Sequence, residues 1–140
     1  MKIIIDNNVI LDVFHNREPF VQFSANVLRL VETKQLKGYI TANSVTDIHY
    51  ILNRSIKDKQ KLFTVLDTLF KLVEIIDVTS KDIKKAFRPE VDDFEDELII
   101  VCAERANIDF IVTRNPKDFK NSPIPAITPE DFLTKYFEAL

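Results

Sequence analysis

Residues 93–119 read DFEDELIIVCAERANIDFIVTRNPKDF, and this stretch decides the fold class. Its first half places Ile99, Cys102, Ala103 and Ala106 at helical spacing, which predicts a helix with one buried face. Its second half contains the apolar run Phe-Ile-Val before a polar turn, which is typical of a strand covered on both faces. A helix that leads into such a strand predicts an α/β domain with a parallel sheet.

The same alternation continues over the rest of the chain. Short apolar runs bounded by turns predict five strands, at residues 2–5, 38–41, 73–78, 109–113 and 126–128. The first, third and fourth are continuous apolar runs, so we expect all three to be covered on both faces. Two amphipathic helices between residues 44 and 72 form a predicted helical arm between strands two and three. The sequence therefore predicts a three-layer α/β fold around a central parallel sheet of about five strands.

Three segments carry helix-start signals. They are SVTD at residues 44–47, DFED at 93–96 and TPED at 128–131, and each places a capping side chain three residues before an acid. We therefore expect helices to begin at these three points.

Composition limits the class of protein. The chain has 140 residues, 46% of them hydrophobic and 29% charged, which predicts one globular domain over residues 1–140. One cysteine, Cys102, excludes an internal disulfide and a thiolate zinc site. The first apolar run stops at Asp6 and no run approaches the ~18 residues that cross a bilayer, so we expect a cytoplasmic protein without a signal peptide or membrane segment. The net charge of -3 argues against indiscriminate nucleic-acid coating.

Acidic and polar residues follow the predicted strands, at the edge where parallel α/β sheets bind ligands. Asp6 comes directly after the first strand, Asp47 follows the second, and Asp96 begins the helix before the fourth. Oxygen ligands without a Cys or a paired His indicate a hard cation, Mg²⁺ or Mn²⁺, rather than zinc. Further polar residues follow the fourth strand: Thr113, Asn115 and Asp118.

Each of these residues has a structural alternative. Asp47 and Asp96 occupy the third position of apparent capping boxes, where the helix dipole alone favours an acid. Asp93 fits an N-cap better than a ligand, and Asp118 fits a turn beside Pro116. Asp6 has no capping role in this pattern, so a structural explanation is weaker for it than for the other acids. Other residues are predicted to lie away from the site, at the surface, in turns or isolated: Asp12, Asp67, Asp77, His15 and His49.

Five blocks of the sequence together resemble a PIN domain, of the bacterial and archaeal group that includes VapC-type toxins. They read DNNVILD at residues 6–12, TANSVTD at 41–47, DFEDELIIVCAERA at 93–106, DFIVTRNPKDF at 109–119 and ITPEDFL at 127–133. The resemblance implies a metal-dependent endoribonuclease with three or four acids at one edge of the sheet. By position it implies Asp6, Asp47 and Asp96 as the first three acids and Asn115 at the fourth position.

The chain departs from the family pattern in three places. Asp47 stands where Glu is common, Asn7 stands where Thr or Ser is usual, and Asn115 is neutral where an acid is usual. Because Asn115 offers a carbonyl oxygen but no charge, we expect Asp93 or Asp118 to supply the missing negative charge.

The resemblance also implies the roles of the residues. Asp6 and Asp96 would be the primary ligands of one or two Mg²⁺ or Mn²⁺ ions, with Asp47 ligating directly or through water. Thr113 and Asn115 would orient the attacking water or a phosphate oxygen. RNA with unpaired bases is the expected substrate. Cations beside the site, Arg114 and Lys117, would contact the RNA backbone, whereas a second basic strip fits a solvated helix junction better: Arg54, Lys57, Lys59 and Lys61.

Other functions stay open at this point. A housekeeping RNA-processing PIN nuclease has the same site as a toxin, and a PIN-like module that binds RNA or protein without cleaving it would tolerate Asn115 and Asp47. A phospho-accepting receiver domain also has strand-end acids, but it needs an acid pair after the first strand and a Lys after the last, and the chain has neither.

Apolar residues near the chain ends predict association. Val13, Phe14 and Phe20 flank a charged turn, and the last helix carries more apolar residues than one side of a sheet can readily cover. Together with the resemblance to VapC-type toxins, these residues lead us to expect a homodimer, and a small antitoxin protein that inserts an Arg or Lys near Asp6 and Asp96. The apolar residues of the last helix are Phe132, Tyr136, Phe137 and Leu140.

Overall fold

The computed structural model describes residues 1–137, and within them it has five strands and seven α-helices. The strands are β1 (Lys2–Ile5), β2 (Lys37–Thr41), β3 (Glu74–Ile76), β4 (Phe110–Val112) and β5 (Ala126–Ile127). All neighbours pair in parallel, in the order β3-β2-β1-β4-β5. The predicted parallel five-stranded sheet is confirmed, with the last three strands shorter than expected.

Helices cover both faces of this sheet. They are α1 (Asn7–Phe14), α2 (Val21–Glu32), α3 (Ala42–Ser55), α4 (Lys59–Leu72), α5 (Ser80–Ala86), α6 (Phe94–Arg105) and α7 (Pro129–Tyr136), with a short 3₁₀ helix at Pro116–Phe119. The predicted helical arm between the second and third strands is α3 and α4. None of the helices within residues 1–137 is long and apolar enough to cross a membrane.

The alternation of isoleucines in β1 explains the three layers. Ile3 and Ile5 point to one face and pack in a core with residues of α1, α2, α3, α4 and α7. Ile4 points to the opposite face and packs with residues of α5 and α6. A central strand that buries both faces needs apolar residues at every position, and the Ile-Ile-Ile run provides them.

The expectation for the third strand is wrong. β3 lies at the edge of the sheet, where Glu74 and Ile75 are exposed and only Ile76 of this strand is buried. A continuous apolar run predicted cover on both faces, but an edge position leaves the strand with one neighbour and incomplete cover.

The predicted apolar surplus near the chain ends is also largely wrong. Phe132 is fully buried, its ring meets Phe110 edge to face, and Phe137 packs against the same core. The last helix therefore completes the core. Val13 and Phe14 also pack against that core, Phe20 and Tyr136 are partly exposed, and Leu140 lies outside the described residues.

Candidate functional site

Asp6 is the first residue after β1, and its carboxylate is fixed by two hydrogen bonds. The Thr113 hydroxyl donates to Oδ2 at 2.7 Å, and the Asn7 backbone N–H donates to Oδ1 at 2.8 Å. The backbone of Asp6 also occupies the N-cap position of α1, which the sequence pattern did not indicate. Its side chain bonds the N–H of the next residue and no N–H deeper in the helix, so the carboxylate is turned toward the end of β4.

Thr113 connects this carboxylate to the loop after β4. It is fully buried, and its hydroxyl accepts a hydrogen bond from the Asn115 backbone N–H at 3.1 Å while it donates to Asp6. The predicted role in orienting an attacking water needs correction, because the hydroxyl is already taken and lies away from solvent. Thr113 positions Asp6, and the Asn115 side chain is the one exposed to solvent.

Asp96 lies in the first turn of α6. Asp93 is the N-cap of this helix, as predicted, and its side chain accepts the Asp96 backbone N–H at 3.0 Å. The reciprocal bond of a capping box, from the Asp96 side chain to the Asp93 N–H, is absent among the hydrogen bonds of residues 1–137. The Asp96 carboxylate is therefore not used by the cap.

Asp6 and Asp96 share an electrostatic environment that disfavours their ionised forms. Desolvation, followed by the nearby charges of Asp93, Asp6, Asp118 and Glu95, raises the pKa of Asp96 to about 7. Desolvation also raises the pKa of Asp6, against the hydrogen bonds from Thr113 and Asn7 that lower it. Repulsion between like charges and loss of hydration make the ionised carboxylates unfavourable, and a bound cation would offset this unfavourable free energy.

Asp47 lies one turn deeper in its helix than predicted. The capping box expected at residues 44–47 is wrong, because α3 already begins at Ala42 and the Ser44 side chain bonds the Thr41 hydroxyl at 2.8 Å. Asp47 is half-buried, and its charge is the largest of the causes that raise the pKa of Glu95. Glu95 was missed in the sequence, although it directly precedes Asp96 and adds a negative charge at this edge.

Arg114 has a different partner from the predicted one. Its Nε lies 2.9 Å from Oδ2 of Asp12, an ion pair without hydrogen-bond alignment, and its guanidinium stacks on the Phe20 ring. The Asn8 side chain accepts the Arg114 backbone N–H at 3.3 Å. The surface position predicted for Asp12 is wrong, since this residue is fully buried. Asn8 and Asp12 are one helical turn apart, and this i,i+4 spacing could have indicated a shared partner.

A groove of about 630 Å³ lies between the start of α6, at Asp93 and Asp96, and the 3₁₀ helix, and neither Asp6 nor Asp47 lines it. Lys117 and Asp118 are exposed and line this groove together with Asp93 and Asp96. The two histidines take no part in this groove: His15 bonds the Ser55 hydroxyl at 3.0 Å, and His49 lines a surface pocket with α4 residues.

The donor chemistry fits a hard divalent cation, but the acids do not form a closed cage. Within residues 1–137, no three His, Cys, Asp or Glu side chains converge as a metal-holding group. Mg²⁺ commonly uses one or two protein carboxylates and completes its shell with water and substrate phosphate. Asp6 and Asp96 are two carboxylates with raised pKa values, and they offer only oxygen atoms as ligands, so they meet that requirement.

Comparisons with known proteins identify the family to which this fold belongs. The family model of the PIN domain matches residues 2–117. Ribonuclease VapC1 of Aquifex aeolicus is 25% identical over 140 residues, which cover 96% of this chain and 95% of that protein.

Solved structures show the same fold. VapBC2 from Rickettsia felis, bound to a DNA fragment from its promoter, has a TM-score of 0.69 at 22% identity, over 91% of this chain and 98% of that chain. VapC20 of Mycobacterium tuberculosis, described as a toxin that cleaves the sarcin-ricin loop, has a TM-score of 0.61 at 15% identity, over 78% of this chain and 86% of that chain. With the family model matched over most of its length, the chain belongs to the PIN domain family.

Proposed function

We propose that this protein is a metal-dependent endoribonuclease that cleaves RNA phosphodiester bonds. The observation that carries the proposal is the pair of desolvated carboxylates, Asp6 and Asp96, whose pKa values are both raised at the carboxyl edge of the sheet. The name of the relative Ribonuclease VapC1 supports RNA as the substrate.

Asp6 and Asp96 would hold one or two Mg²⁺ or Mn²⁺ ions, with Asp47, Asp93 and Asp118 as further acids of the site. A bound ion would supply an acidified water and neutralise charge on the scissile phosphate. Thr113 holds the Asp6 carboxylate in one orientation, so Asp6 loses little freedom when it binds.

Contacts to the RNA backbone come from a different set of residues in this proposal. Lys117 stands on the groove wall with its ammonium group exposed, where it can contact phosphates, and the Asn115 amide can orient water or a phosphate oxygen. Arg114, held by Asp12, keeps the 113–115 loop in place rather than reaching for substrate.

A cleavage assay and a melting curve test the proposal together. Wild-type protein should cut unstructured RNA with Mg²⁺ or Mn²⁺ but not in excess EDTA, and Mg²⁺ should raise its melting temperature. Asp96→Asn should lose both effects, while Asp67→Asn, on the exposed side of α4, should keep both. Cleavage that persists in EDTA contradicts metal dependence, and metal binding without cleavage would favour a PIN module that binds RNA or protein.

We further propose that the chain is the toxin of a cytoplasmic toxin–antitoxin pair. Support comes from the neighbours of known structure, which include a toxin–antitoxin complex from Klebsiella pneumoniae. A small antitoxin would place an Arg or Lys beside Asp6 and Asp96, replacing the charge of the metal. A homodimer remains part of this proposal, as the commonest closed assembly.

Coexpression separates this role from housekeeping RNA processing. Toxicity of the chain alone, relieved by the product of a small neighbouring gene that copurifies with it, is the expected result. Harmless expression with no copurifying partner would favour the housekeeping alternative. Light scattering near 16 kDa would exclude the dimer.

A further inference from the structure

Two phenylalanine rings stand in solvent beside the acidic edge. Phe87 is 76% exposed and Phe94 is 39% exposed. Their centroids are 5.8 Å apart with an interplanar angle of 83°, so the edge of one ring meets the face of the other. The Phe87 ring, at 76% exposure, gains little from burial, which makes a contribution to the core a poor explanation for its presence.

The two rings are placed by the elements that form the site. Phe94 is the first residue of α6, directly after the Asp93 cap and two residues before Asp96. Phe87 ends α5 at its C-cap. Each ring is therefore next in sequence to a residue that lines the groove, Arg88 for Phe87 and Asp93 for Phe94.

Exposed cations accompany the rings, although the chain as a whole carries a net charge of -3. Lys84 and Lys85 lie in the last turn of α5, three and two residues before Phe87, and both are exposed. Lys117 and Lys120 also line the groove, together with acids that include Asp93, Asp96 and Asp118. Arg88 is held by Glu90 and Glu97 and so contributes less free charge.

We propose that Phe87 and Phe94 form a stacking platform for unpaired RNA bases next to the phosphate that is cleaved. The inference rests on the proposed function and extends it, because it names how the substrate is held and why it must be single-stranded. Exposed aromatic rings beside cations that follow the backbone are the usual means of binding single-stranded nucleic acid. A rival occupant is a protein surface, since Ile83 lies one turn before Phe87 and is also 44% exposed.

A tryptophan probe tests the contact directly, because the chain contains no Trp. Phe87→Trp in an Asp96→Asn background gives one indole beside uncut RNA, and a 12-nucleotide oligouridine should quench its emission. Phe63→Trp, at a position on α4 that is 64% exposed, is the matched control and should not respond. Equal responses from the two probes would overturn the platform.

Kinetics test whether the contact serves cleavage. Phe87→Ala with Phe94→Ala should lower kcat/KM on unstructured RNA about 10-fold, the loss expected for one stacked base. Phe63→Ala should leave kcat/KM unchanged. Phe87→Tyr, which keeps an aromatic ring, should retain the wild-type kcat/KM. With RNA that has abasic sites beside the cut, kcat/KM of the wild type should fall by a similar factor. The kcat/KM of the double variant should not fall further. Unchanged kinetics together with altered mass in light scattering would assign the rings to a protein interface and overturn the proposal.

The outcomes separate the two proposals. If wild-type protein cuts no RNA and binds no metal, the proposed function fails. If it cuts RNA but neither ring removal nor base removal changes the rate, only the platform fails.

Discussion

Two aspartates hold the same position in neighbouring helices and meet opposite environments. Asp82 is the third residue of α5 and Asp96 is the third residue of α6. Asp82 completes a capping box with Thr79 and receives two hydrogen bonds from Arg105, at 3.0 and 2.9 Å. These bonds, the Arg105 contact first, lower the pKa of Asp82 to about 2, whereas desolvation and neighbouring acids raise the pKa of Asp96 to about 7.

The difference shows how one residue type serves two purposes. The Asp82 carboxylate has a cation within the chain, so it binds α6 to α5 and stabilises the fold. The Asp96 carboxylate has acids for neighbours, so its charge is left for something outside the chain to neutralise. The local helix position is the same in both, and only the surrounding residues differ.

The largest expected effect is on cleavage. Asp96→Asn should reduce cleavage by at least about 100-fold, the upper range for losing even an outer partner of a metal site. Asp82→Asn should leave cleavage per folded molecule unchanged. A rate assay on both variants, with the folded fraction measured by circular dichroism, decides this. Equal losses in the two variants would contradict the division of roles.

The second expected effect is on stability, and here Asp82→Asn should be the more damaging of the two substitutions. Asp82→Asn leaves the Arg105 guanidinium without its carboxylate and should cost about 2 kcal/mol of unfolding free energy, within the range for orphaning a hydrogen-bonded partner. Asp96→Asn should be neutral or raise stability, because it removes a repelled charge. Denaturant unfolding in EDTA measures both. A destabilised Asp96→Asn variant would instead support the capping interpretation of that residue.

The third expected effect is that Mg²⁺ stabilises the folded protein through Asp96 and not through Asp82. At ten times its Kd, Mg²⁺ should add about 1.4 kcal/mol to wild-type stability by mass action. Asp82→Asn should show the same increment on its lower baseline, whereas Asp96→Asn should lose it. Thermal melts over a Mg²⁺ titration measure the increment, with Na⁺ at matched ionic strength as the control.

The smallest effect is a difference in pH dependence. The lowered pKa of Asp82 adds stability that is present above the unfolded value near 4 and is lost as the pH falls toward about 2. The raised pKa of Asp96 has the opposite sign: without metal, stability falls as the pH rises from about 4 to about 7. Asp96→Asn should remove the second slope and Asp82→Asn the first. Melting curves from pH 3 to 8 in EDTA measure the dependence of stability on pH. Slopes that are the same in the two variants and the wild type would contradict this assignment.

Much of the fold could be predicted from local patterns. The strands β1 and β4 and the caps at Asp93 and Thr128 were found because strand runs and capping residues act within a few positions of the chain. Asp6 and Asp96 were found as candidates for the same reason, since both mark the ends of predicted elements. The capping box at Thr79 and Asp82 was overlooked, although the sequence carries its spacing.

Other features depended on residues far apart in the chain. One partner of Asp12 is Arg114, more than one hundred positions away, and the sequence around Asp12 does not identify it. The repulsion between Asp47 in α3 and Glu95 in α6 likewise acts between residues that are far apart in the chain. The exposed face of β3 follows from its place at the sheet edge, which its apolar sequence does not show.

The sequence by itself determined the alternation of strands and helices and the acids at the strand ends, because both are set by hydrophobic period and by local backbone chemistry. The tertiary structure alone decided which acids are paired and which are left for a cation. Pairing and desolvation act through space, so Asp82 beside Arg105 forms a structural contact, while Asp96 beside Asp93 and Asp6 stays unpaired and is a candidate metal ligand.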